Sequence, residues 1–103
     1  MIQTEKMIKD SSLKIMKDIE FDFDKEVGIH KIRFDKKYEP IRGPNKDQII
    51  PAWVVSFEFG KPYFDTETVF LTIADNSGEP LYFQHSTALI EIDKDANGKY
   101  FKK

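Results

Sequence analysis

Few residue patterns in this sequence could do chemistry. Asp93-Lys94-Asp95-Ala96-Asn97-Gly98 places oxygen-bearing side chains at alternate positions before a glycine, as the first half of a calcium loop does. The second half is not matched, and strand-like residues stand where the entering helix of such a loop belongs. The same residues are good turn formers, and a hairpin turn is the expectation for them. His30 and His85 lack the i, i+4 spacing of a helical zinc pair and have no cysteine partner. His85 and Ser86 are sequence neighbours, which on a strand point to opposite faces. Catalysis would require a carboxylate brought within hydrogen-bond reach of either histidine by the fold. The 18 acidic residues supply many carboxylate pairs for glycoside chemistry and single out none.

One stretch stands above this background. Asp18, Glu20, Asp22, Asp24 and Glu26 occupy every second position, with Ile19, Phe21, Phe23 and Lys25 between them. The local charge is negative on a chain whose total is only −2. If this stretch is a strand, alternate carboxylates stand about 6.6–7 Å apart on one face and repel unless solvent, a cation or a basic partner relieves them. Three uses follow: a solvated edge that discourages sheet-to-sheet association, a docking stripe for a cationic protein, or a metal site.

The elements that must position these groups are legible as periods. Ile8, Ile15, Met16 and Ile19, with small Ser12 in the gap, form one helical stripe between Thr4 and Ile19, and Thr4 is placed to cap its start. From Asp18 the period becomes two, which predicts a strand over Ile19 to Phe23. Val27 to Phe34 reads as a second extended segment, with His30, Ile32 and Phe34 on one face and Lys31, Arg33 and Asp35 on the other. Lys36 to Gln48 holds Pro40, Gly43, Pro44 and Asn45 and reads as loop. Ile49 to Phe59 is the clearest strand, with Trp53, Val55, Phe57 and Phe59 on one side. Thr68 to Ala74 follows it, then a reversal at Asp75-Asn76-Ser77-Gly78. A returning arm starts near Pro80, Ala88 to Ile92 is extended again, and Asp93 to Lys103 reads as a turn and a basic tail. The order predicts a single α+β domain over residues 1–103, with one N-terminal amphipathic helix packed on an antiparallel sheet of four to six strands.

Composition narrows the classes. The chain of 103 residues is 40% hydrophobic and 33% charged, enough apolar material for one core. Its cations are 14 Lys and two Arg, Arg33 and Arg42, so a phosphate or base reader is disfavoured by both net charge and the scarcity of the guanidinium fork. Without cysteine there is no disulfide, thiol catalysis or thiolate metal site. The longest charge-free run is the 11 residues Pro80 to Ile90, against about 20 for a membrane span. Met1 to Asp10 lacks the apolar stretch of a secretory signal, so the expected compartment is the cytoplasm.

Trp53-Val54-Val55-Ser56-Phe57, Val69-Phe70-Leu71-Thr72-Ile73 and Asp75-Asn76-Ser77-Gly78-Glu79-Pro80-Leu81 together resemble the PepSY-type hairpin, in which an aromatic-led strand precedes a second strand ending in D-x-[ST]-G-E-x-L. The resemblance covers about thirty residues. It implies a small α+β module with a helix on antiparallel strands, associated with peptidase regulation or protein binding and not with catalysis.

The functional expectation is therefore a non-catalytic protein-binding module, in its most concrete form an immunity-type antagonist that masks a basic toxin or hydrolase. Glu20, Asp22, Asp24 and Glu26 are its expected contacts. The alternative is a small-molecule or lipid-binding domain with an apolar pocket between helix and sheet, lined from Trp53, Phe57, Val69 and Leu71. Neither reading needs a metal or cofactor, and neither involves nucleic acid or membrane. The open edges of an antiparallel sheet add homodimerisation by strand pairing to the expectations.

Overall fold

In the computed structural model, residues 2–20, 29–41, 46–59, 67–85 and 88–103 are described. The helical stripe near the start forms α1, Glu5–Asp18, and Thr4 caps it by accepting the Met7 amide at 3.2 Å. Ile8, Ile15 and Met16 are wholly buried and Ile19 nearly so. Each such side chain contributes about 1.5–3 kcal/mol on removal from water, while the outward face is charged. Ser12 fits the apolar stripe because its hydroxyl donates to the Ile8 carbonyl at 2.6 Å and leaves no buried donor unmet.

Six strands follow: β1 Ile29–Tyr38, β2 Ile50–Phe59, β3 Glu67–Ala74, β4 Pro80–His85, β5 Ala88–Lys94 and β6 Tyr100–Lys102. They pair in sequence order, every neighbour antiparallel, with α1 against β1, β2 and β6. This is the α+β arrangement expected from the sequence. β1 runs on to Tyr38, past the point where the loop is expected to begin, and β5 is a separate strand. The ending is not a free tail: β6 returns along β5 through a turn in which the Asp95 carboxylate accepts the Asn97 and Lys99 amides at 2.9 Å and Gly98 takes φ +81°. That turn is the calcium-like stretch.

Period two and the register divide the sheet into two faces. On the helix side Ile32 pairs with Val55 and Val55 with Leu71, Phe34 with Trp53 and Trp53 with Ile73, and Phe57 with Val69. These residues and the helix form one core cluster, with Phe34 and Trp53 rings 4.9 Å apart.

The Ile19–Phe23 strand expectation fails at its start. Asp18 is the last helical residue, Ile19 caps the helix, and Glu20 adopts φ +58° while its amide donates to the Lys17 carbonyl at 3.1 Å. A left-handed residue directly after the cap is a helix stop, so no strand begins there. Asp18 is also engaged. It accepts from Lys14 Nζ at 2.7 Å and from the Tyr100 amide at 3.2 Å, and the Lys14 hydrogen bond holds its carboxyl below the ordinary range. Residues 21–28, which carry the rest of the alternating stretch, lie outside the described residues. No helix among the described residues is long and apolar enough to cross a membrane.

The two ends of the helix are fastened differently. At its C-terminus Asp18 meets β6. Before its N-terminus the chain is tied by Asp75, whose side chain is 1% exposed. The Asp75 carboxylate accepts the Trp53 indole N–H at 2.8 Å, the Gln3 amide at 2.9 Å and the Ile2 amide at 2.7 Å. The Gln3 side chain covers Gly78, where a Cβ would stand 3.1 Å from it and where φ is +72°. Burial alone would raise the Asp75 pKa, but the three N–H donors outweigh it and hold it below the ordinary value. A depressed carboxylate pKa stabilises the fold above its unfolded value, near pH 4, and the contribution disappears as pH falls through the folded value. Asp75→Asn should therefore lower stability by about 2 kcal/mol at neutral pH. Urea denaturation should show the gap to wild type narrowing below pH 4, and a gap unchanged down to pH 2 would contradict the anchoring role.

Candidate functional site

The sheet face away from the helix is built by the other half of each strand. Two cross-strand rows run along it. Lys31 of β1 lies opposite Ser56 of β2, then Phe70 of β3, Gln84 of β4 and Leu89 of β5; Arg33 lies opposite Val54, then Thr72, Tyr82 and Glu91. Each row thus starts with a cation on β1 and crosses neutral residues on β2, β3 and β4, the second ending at Glu91 on β5.

One end of this face is closed. Tyr82 is fully buried there, its hydroxyl hydrogen-bonded to that of Tyr38 and accepting the Ile41 amide at 3.3 Å. Burial, with the Tyr38 hydrogen bond adding to it, raises the Tyr82 pKa far above that of free tyrosine. The Tyr38 ring so held walls a recess of about 330 Å³. Val54, Ser56 and Thr72 are its buried floor, 39%-exposed Phe70 and Gln84 stand opposite, and Lys31 and Arg33 form the rim at the β1 edge. Among the described residues no ion pair engages either cation.

The residues singled out by sequence are distributed differently. Glu20 is exposed at the helix stop; Asp22, Asp24 and Glu26 lie outside the described residues. The alternative pocket meets packed core, since Trp53, Phe57, Val69 and Leu71 are at most 4% exposed and belong to the helix–sheet cluster. An open recess between helix and sheet lies between Glu5, Lys6, Lys9 and Asp10 of α1 and the start of β1. His30 is exposed on β1, and His85 stacks on Phe83 with centroids 6.5 Å apart. Ser86 lies outside the described residues. Among the described residues no three His, Asp or Glu side chains group as metal ligands.

Phe70, Tyr38 and Gln84 had no local signal pointing to a site. The period of β1 does put Lys31 and Arg33 on one face, but their meeting with Phe70 depends on a register across two further strands. Phe70 betrays itself only as an aromatic residue at the solvent phase of an otherwise regular strand. Compared with known proteins, the chain matches no family model, no curated protein and no solved structure. The functional reading therefore rests on the site.

Because folding raises the Tyr82 pKa, its contribution to stability is complete below about pH 10 and is lost as pH climbs through the folded value. Burial and the neighbouring Glu79 carboxylate raise the Tyr100 pKa as well, so alkaline titration followed by absorbance should resolve late-ionising phenols of which Tyr82 is the last, and Tyr82→Phe should remove that last phase alone. A late amplitude as large in Tyr82→Phe as in wild type would contradict the closure of this end of the recess.

Proposed function

We propose that the chain is a non-catalytic protein-binding module that occludes part of its partner. The observation that carries this reading is the sheet face opposite α1, where Lys31 and Arg33 border a recess containing exposed Phe70. Arginine and aromatic side chains are the residues from which interface hot spots are made, and unpaired surface charge steers encounter with a complementary partner. Ser56, Thr72 and Gln84 add hydrogen-bonding groups to the same surface. The PepSY resemblance belongs to the same functional class.

An immunity-type antagonist that masks a toxin or hydrolase is the concrete form of the proposal. A basic partner would engage Glu20, Asp22, Asp24 and Glu26, a version favoured by the concentration of acidic residues in the sequence and by the exposure of Glu20. An acidic contact would engage Lys31 and Arg33. The two surfaces separate by charge variants. Extract from the native host is passed over immobilised wild type, Lys31→Glu/Arg33→Glu and Asp22→Asn/Asp24→Asn at low and high salt. A salt-sensitive partner should be held by wild type and lost by one double variant, which identifies the surface used. Identical capture by all three at both salt concentrations would overturn electrostatic docking.

A further inference from the structure

The recess on the open face offers more than a patch for protein contact. Neighbouring strands lie about 4.8 Å apart, so the β1 cations and Phe70 of β3 are separated by two strand spacings, roughly 10 Å of backbone. Between them the floor is apolar at Val54 and hydroxylic at Ser56 and Thr72. Lys31 and Arg33 project on the same side at positions i and i+2, so one anionic group can lie between their heads. At about 330 Å³ the space is at the small end of ligand pockets.

These groups select against simpler occupants. An inorganic anion would satisfy the cations and leave the Phe70 ring uncovered. A hydrocarbon would cover the ring and strip water from two charges without replacing it. We propose that the recess binds an aryl anion, a flat ring bearing a phosphate or carboxylate group. The ring lies over Val54 against Phe70 in an offset or edge-on contact, and the anion sits between the Lys31 ammonium and the Arg33 guanidinium fork. Lys31 also borders the groove beside α1, so Arg33 is the principal anion contact. This goes beyond protein docking: a free small molecule suffices, and a phosphorylated tyrosine of a protein presents the same chemistry.

The test is a set of NMR titrations of the isotope-labelled full chain with phenyl phosphate, inorganic phosphate and phenol. Phenyl phosphate should shift the Lys31, Arg33, Val54, Phe70 and Thr72 amides together along one saturable curve, and bind at least about tenfold tighter than either fragment, because ring and anion contacts combine in one ligand. Arg33→Ala and Phe70→Leu, both at solvent-accessible positions, should each weaken it by about tenfold or more. Their spectra report that they remain folded, and Arg33→Lys should recover part of the loss. A phosphotyrosine peptide binding tighter than phenyl phosphate would assign the source to a protein, and one binding more weakly would assign it to a free small anion. Absence of saturable shifts with phenyl phosphate, equal affinity for inorganic phosphate, or wild-type affinity in both Arg33→Ala and Phe70→Leu would overturn the proposal.

Discussion

A carboxylate taken out of water at Asp75 sets the arrangement of everything else. Such a group is tolerated only where donors replace its hydration, and here they come from two places: the Trp53 indole in the middle of the sheet and the amides of Ile2 and Gln3 just before α1. The bond set therefore joins the chain's first described residues to the β3–β4 turn, 73 and 72 positions away in sequence. With the start of α1 held there and its end held to β6 through Asp18, the helix has one face of the sheet to cover. Among the described residues, the opposite face meets the segment after β1 at the contact of Tyr82 with Tyr38 and the Ile41 amide. The recess is what remains.

That division explains why the two sides of one sheet have different compositions. The helix side carries Val, Leu, Ile, Phe and Trp in register across five strands, since every one of those positions loses water on packing. The open side carries Lys31, Arg33, Ser56, Thr72 and Gln84 together with a few apolar residues. Phe70 is the exception. Phe70 remains 39% exposed where the aromatic residues of the helix side are buried or half-buried, so its position among cations and hydroxyls is the feature with most functional content.

Much of the fold was legible because periodicity is a local property. The α1 stripe, the alternation of Trp53, Val55 and Phe57, and the turn chemistry around Gly78 and Gly98 each depend on residues close in sequence. The acidic stretch misled at its first residues for a physical reason: Asp18 and Glu20 fit a period of two, but Lys14 pairs with Asp18 at helical spacing and Glu20 supplies a left-handed stop. Asp75 likewise read as a turn former, and its burial depends on Trp53 and residues 2–3, which no local pattern connects to it. Trp53, Phe57, Val69 and Leu71, the expected lining of an apolar pocket, are buried members of the helix–sheet cluster. The open-face site was the least legible part, since it exists only after four strands are set in register.

The direct measure of the central claim is solvent access to the two sheet faces in solution, read from NMR relaxation enhancement of aromatic and methyl protons by a neutral, soluble paramagnetic chelate. Phe70 ring and Val54 methyl signals should be enhanced well above those of Phe57, Val69 and Leu71. Equal protection of Phe70 and Phe57 would mean that the face opposite the helix is covered, and the account of the recess would be wrong.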